Sequence, residues 1–162
     1  MATSAIHLKI DGIKGESADS KHKDEIDVES WSWGASNSGS VASGSGGGAG
    51  AGKVTFTDLS FAHRVDKAST SLWKACATGA HIKEATLTSA KKGKSAQDFL
   101  IIRMSDVLVT SVSMSETSGT PPMELVALQF AKVDFEYKPQ KADGSLDAGV
   151  HFKYDIQANK EG

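Results

Sequence analysis

The run Gly47-Gly-Ala-Gly-Ala-Gly52-Lys53 has residue types and spacing that could cradle a phosphate, because glycine backbones can turn several amides toward an anion while lysine neutralises it. The next residues argue against that chemistry. A nucleotide-binding loop follows its lysine with Ser or Thr for magnesium and then opens a helix, whereas Val54-Thr-Phe-Thr57 continues as a strand. The run reads as a flexible loop, and no nucleotide cofactor is expected. His7, His22, His63, His81 and His151 are scattered without a pair at helical or hairpin spacing. With Cys76 as the single cysteine they do not make a zinc site, so no metal is expected and the histidines read as solvated or locally bonded. Serines are many, but no Gly-x-Ser-x-Gly elbow is present, and no catalytic residue is assigned. Asp24, Glu25, Asp27 and Glu29 crowd together as paired carboxylates would for acid–base work, yet a solvated acidic edge is the common outcome of such a cluster. Trp31, Trp33 and Trp73 could stack on sugars or bases, which keeps a stand-alone binding module as an alternative; core packing is the reading preferred.

Composition narrows the classes further. At 162 residues the chain is expected to form one domain, 1–162, held by burial and backbone pairing, since one cysteine cannot close an internal disulfide. A net charge of −2 without a basic block offers no surface for phosphate backbones, so nucleic acid is not an expected partner. The first ten residues lack the basic and long apolar regions of a secretory signal, and nowhere do about 20 apolar residues run together. No membrane insertion is expected. Folding in the cytoplasm is, with any export left to a dedicated machine.

The elements that must position these residues are mostly strands. Ile6, Leu8 and Ile10 alternate with His7 and Lys9, and a polar loop follows to about Glu25. From Ile26 to Trp33 the tryptophans share one face and Ser30 and Ser32 the other. The stretch from Gly34 to Gly52 reads as a strand end and then a flexible loop. Between Val54 and Phe61 the apolar residues change parity at Asp58, which predicts a bulge there. One helix is predicted over about 66–78, with Asp66 or Ser69 as its cap, Leu72, Ala75 and Cys76 on its apolar face and Gly79 at its end. Strands follow over 82–90, 99–112, 124–137 and 150–156; the second is apolar on both faces, and the third changes parity, predicting a bulge or sheet crossing. The fold class is mainly β: a closed barrel or sandwich of antiparallel strands with one flanking helix.

Taken in order, Gly15-Glu-Ser17, Glu25-Ile-Asp-Val28, Trp31-Ser-Trp-Gly34, Asp58-Leu-Ser-Phe61, Asp66-Lys67, Ala75-Cys76, Thr78-Gly79, Tyr137-Lys-Pro-Gln140 and Asp143-Gly144 resemble the haemolysin co-regulated protein (Hcp) family. The resemblance spans about residues 5–158. It implies a small β-barrel related to phage tail-tube proteins, a homo-hexameric ring, and stacking of rings into the inner tube of type VI secretion. Implied partners are a spike protein at the tip, a sheath around the tube and secreted effectors. By the same resemblance Ser32 faces the lumen where cargo is held, and the Gly-rich loop of about 43–52, with Gly46, Gly48, Gly50 and the adjoining Lys53, contacts the next ring. Where family members often have proline at the start of the helix, Ser69-Thr-Ser71 stands here, so capping replaces a preset turn.

Overall fold

In the computed structural model, residues 4–39, 53–91 and 97–162 are described. They form strands β1 (Ser4–Ile10), β2 (Ile26–Val28), β3 (Ser30–Ser32), β4 (Ala35–Asn37), β5 (Val54–Phe56) and β6 (Leu59–Arg64). Helix α1 (Ala68–Thr78) follows, then β7 (Ile82–Lys91), β8 (Asp98–Ser115), β9 (Met123–Tyr137), β10 (Val150–Asp155) and β11 (Lys160–Glu161). All ladders are antiparallel. The main sheet runs β11-β10-β9-β8-β7-β1-β2, with β6 joining β9 and β3 joining β6, while β4 and β5 pair with each other.

The expected class, antiparallel β with a flanking helix, is found, but no ladder closes the sheet into a barrel. β2 pairs with β1 and β3 pairs with β6, so one extended segment, 26–32, changes partner at Glu29 and joins the two edges through the chain itself. The Glu29 N–H completes the handover by donating to Ala62 O at 2.8 Å. The interior is filled from every side by Leu8, Ile26, Leu59, Phe61, Leu87, Ile102, Met104, Val107 and Leu128, with Leu72 from the helix. Gly15 sits where the loop before β2 crosses that strand. A Cβ there would lie 2.5 Å from Glu25 O, so only glycine fits.

One local expectation is corrected and two are made specific. The parity change at Asp58 is not a bulge: the strand ends at Phe56, and Leu59 begins a strand of a different sheet. The bulge lies opposite, at Thr110 of β8, where the register against β9 shifts and the hydroxyl donates to Asp58 Oδ2 at 2.6 Å. Second, the strand end expected after Gly34 is Ala35–Asn37, which pairs with β5 because backbone pairing needs no side chain to bury. Third, the parity change in β9 is a crossing that keeps its register. Buried residues are even-numbered through Phe130 and then include Val133, and β8 switches opposite it, from Met104 to Val107, at Asp106 with φ of 56°.

The helix begins as capping chemistry requires. Asp66 Oδ1 accepts the Ala68 N–H at 2.8 Å and Ser69 Oγ accepts the Asp66 N–H at 3.1 Å, and Gly79 ends the helix with φ of 64°. A buried polar chain then fastens the helix to the sheet. His63 and Glu124, side chains with no exposure, meet at 2.7 Å between Nε2 and Oε1, and Glu124 Oε2 accepts the Trp73 N–H at 2.6 Å. Asp66 Oδ2, 3.8 Å from His63 Nδ1, is too distant for a hydrogen bond and acts through its charge.

Burial works against a charged His63, but Asp66 and Glu124 more than offset it, and the ring is held protonated above its ordinary range. The folded-state value is raised, so this contribution to stability is full below about pH 6.5 and is lost as pH rises through the raised value. Glu124→Gln is expected to cost about 3 kcal/mol, because it breaks the buried ion pair and leaves the ring to the more distant Asp66 charge. Urea unfolding at fixed protein concentration, run from pH 6 to pH 9, should show the wild type losing more stability with rising pH than the variant does. Parallel profiles would rule out the charged pair.

Candidate functional site

Four strands build one flat patch. β3 lies beside β6, β6 beside the first half of β9, and that half of β9 beside the second half of β8. Cross-strand partners in an antiparallel sheet point to the same face, so the registers give the patch row by row. Trp31, Phe61, Val126 and Val112 form one row and turn inward, where Phe61 and Val126 have no exposure. The rows on either side turn outward. One is Ser32, Ser60, Ala127 and Ser111; the other is Ser30, Ala62, Leu125 and Ser113. Ser32 is exposed, at the end of its row.

This outward face carries small side chains and hydroxyls, and neither row holds an ionisable group. A serine there has no base beside it in its row, so the surface offers hydrogen bonds and close approach rather than nucleophilic chemistry. Leu125 is the large apolar exception, 52% exposed between Ala62 and Ser113. Two edges flank the patch. Among the described residues β3 pairs only with β6 on its side, and Leu108–Ser115 pair only with β9, because β7 reaches no further along β8 than Val107.

The other residues singled out in the sequence do not join this face. Gly46, Gly48 and Gly50, like the whole of the 43–52 loop, lie outside the described residues; Lys53 is exposed immediately before β5. Val54 opens a strand as expected, and the next element is again a strand. Trp31 and Trp33 are half-buried against the core, Trp33 lying 5.7 Å from Phe56 and 5.8 Å from Phe130 between ring centroids. Trp73, 41% exposed, spends its N–H on Glu124. Cys76 packs partly buried against the core. In the acidic cluster, Asp27 and Glu29 face solvent, Glu29 meeting Arg64 at 3.4 Å, while Glu25 is turned in onto His22.

All five histidines are bonded to carboxylates. His7 meets Asp27, His22 meets Glu25 and Asp98, His63 meets Glu124, His81 meets Asp106, and His151 meets Asp134 and Glu136. The sequence reads them as solvated or locally bonded; His7, His22 and His63 are instead buried, with partners as distant in the chain as Asp27, Asp98 and Glu124. For His63 a signal exists in the sequence, since Leu59, Phe61 and His63 share one parity. Glu124 likewise shares the parity of Val126 and Leu128. Among the described residues no group of three His, Cys, Asp or Glu is disposed to hold a metal ion, and no helix is long and apolar enough to cross a membrane.

Comparison with known proteins agrees with this architecture. Residues 7–137 match the family described as "Type VI secretion system effector, Hcp". Protein hcp1 of Pseudomonas aeruginosa is 50% identical over 155 residues, 94% of each chain. A structure of a type six secretion system protein superposes with a TM-score of 0.92 at 28% identity, covering 99% of this chain and 100% of that one. Hcp1 from Salmonella typhimurium does so with a TM-score of 0.77 at 38% identity, covering 99% of both chains. With one helix on a largely antiparallel β fold and this match over most of its length, the chain belongs to the Hcp family of type VI secretion proteins.

Proposed function

We propose that this single-domain chain is a structural subunit of the type VI inner tube: it forms hexameric rings that stack, are expelled by sheath contraction behind a spike, and carry effectors in the lumen. The observation that supports this reading is the four-stranded patch with apolar side chains on one face and Ser and Ala rows on the other. A wall lining a hole crowded with cargo needs small, neutral side chains, and Ser32, Ser60 and Ser111 supply them. A cyclic ring also needs two different surfaces that complement each other. The unpaired edges of β3 and of Leu108–Ser115 lie at opposite sides of the patch and are suited to continue its sheet from one copy to the next. Assembly takes place in the cytoplasm, and delivery is outward with the tube. The loop carrying Gly46, Gly48 and Gly50, with Lys53 at its base, meets the next ring.

Electron microscopy of the purified protein should show rings with a central hole, and a strictly monomeric population across a wide concentration range would sink the proposal. Ser32→Gln should leave rings intact, because the side chain is exposed on the face opposite the core. Its bulk should weaken effector retention by about tenfold, equivalent to about 1.4 kcal/mol. Co-purification of effector with tagged rings reads this directly, and unchanged retention would remove Ser32 from the lumen wall.

A further inference from the structure

Away from the patch, His22 stands out because both of its ring nitrogens lie against carboxylates. Nδ1 is 3.0 Å from each oxygen of Glu25, and Nε2 is 2.9 Å from Asp98 Oδ1. Neutral imidazole has one N–H to give, so only the imidazolium satisfies both contacts. The ring is well covered, with 9% of its side chain exposed, and it stacks on His7 with centroids 4.6 Å apart and planes 12° from parallel. His7 is bound differently. Its Nε2 lies 3.3 Å from Asp27 Oδ1, and its Nδ1 is buried without a hydrogen-bond partner.

The two carboxylates belong to different parts of the chain. Glu25 is three residues from His22 in the same loop, whereas Asp98 is 76 residues away and is the first residue of β8. That loop is otherwise tied mainly to itself and to β2: Gly15 N–H donates to Asp24 O, Ser17 N–H to Glu25 O and Asp24 N–H to Ser17 O. It also reaches the helix start, where Glu16 Oε2 accepts the Lys67 N–H at 2.9 Å.

We propose that His22 is a proton-operated latch, which as imidazolium ties the 15–25 loop to the first residue of β8 and on losing its proton lets Asp98 go. The order of release follows from chain connectivity. A neutral ring keeps one donor, and the partner three residues away requires less ordering of the chain than the one 76 residues away.

The charged groups around the ring come from every neighbouring element. The loop brings Asp19, Lys21 and Glu25, β1 brings His7, and β2 and its end bring Asp27 and Glu29. Lys91 ends β7 and Asp98 begins β8. In this set the carboxylates Asp19, Glu25, Asp27, Glu29 and Asp98 outnumber the cations Lys21 and Lys91. Burial opposes the charge on His22, but Asp98 and Glu25 offset it and raise its pKa above the ordinary histidine value. The sign follows: the latch is shut below about pH 6.5 and opens as pH rises through the raised value.

NMR titration of the imidazole resonances, paired with hydrogen exchange of the intact protein between pH 6 and pH 9, tests this. Exchange is corrected for its intrinsic pH dependence. The His22 midpoint should lie above 6.5, and protection of amides in residues 15–25 should fall about tenfold across the same midpoint. Asp98→Asn keeps the acceptor's shape but removes its charge, so it should lower the midpoint and flatten the protection profile without disturbing the buried rings. A His22 midpoint at or below the ordinary value would overturn the latch. So would a variant whose exchange profile follows the wild type across the whole range.

Discussion

Everything else in this fold is arranged around the ladder between β8 and β9. The two strands stay side by side for nearly their whole lengths, from Leu100 opposite Tyr137 to Ser115 opposite Met123, yet they serve two differently oriented parts of the sheet. Near their middle they change inward parity together, at Asp106 on one strand and between Phe130 and Val133 on the other. A change in one strand alone would turn its apolar side chains to water for the rest of its run, because side-chain direction has period two. Changing both at once preserves the pairing and redirects the sheet. Before the crossing β8 has β7 on its outer edge, and β9 after the crossing has β10; beyond it β9 has β6 and β8 has nothing among the described residues. The unpaired edge and the small-residue patch are thus products of the same corner.

Polar groups obey the same constraint. A small β domain threaded by long strands cannot keep every ionisable side chain in water, and a buried charge is tolerable only when paired. Here His22 and His63 carry that role, each with a carboxylate from another element. His63 and Glu124 lock β6 to β9 and reach Trp73 on the helix; His151 and Arg103 share Asp134 and Glu136 across three strands. Replacing such pairs by apolar residues could serve stability equally well. What the pairs add is direction: a carboxylate with two donors fixes the helix over one place on the sheet.

How much of this is legible in the residues depends on range. Period-two alternation places nearly every strand, the Gly79 stop and capping residues place the helix, and the opposed faces of Trp31 and Ser32 follow from their spacing alone. Asp58 shows where such reading fails. Its parity change is real, but the extra residue sits in β8 at Thr110, a strand that nothing in the local pattern brings beside it. For Ala35–Asn37 the residues give a strand end but neither its extent nor its partner, because strands that bury nothing leave no pattern. His22 is out of reach for another reason: its surroundings are assembled from a loop, β1 and the start of β8, none of them near it in a periodic element.

The patch itself follows from packing. Inward, the row Trp31, Phe61, Val126 and Val112 is bulky, and these side chains hold the four strands against the core. With that face filled, the opposite face is free of any structural demand for large residues, since a sheet covered on one side needs no second layer. Its Ser and Ala rows then leave the surface flat, without long side chains that would cost entropy when ordered against a neighbour. A neutral, flat face bounded by two unpaired edges is poor ground for catalysis and good ground for repetition. The single bulky departure is Leu125, which stands exposed beside Ala62 and is the large apolar contact that these rows offer.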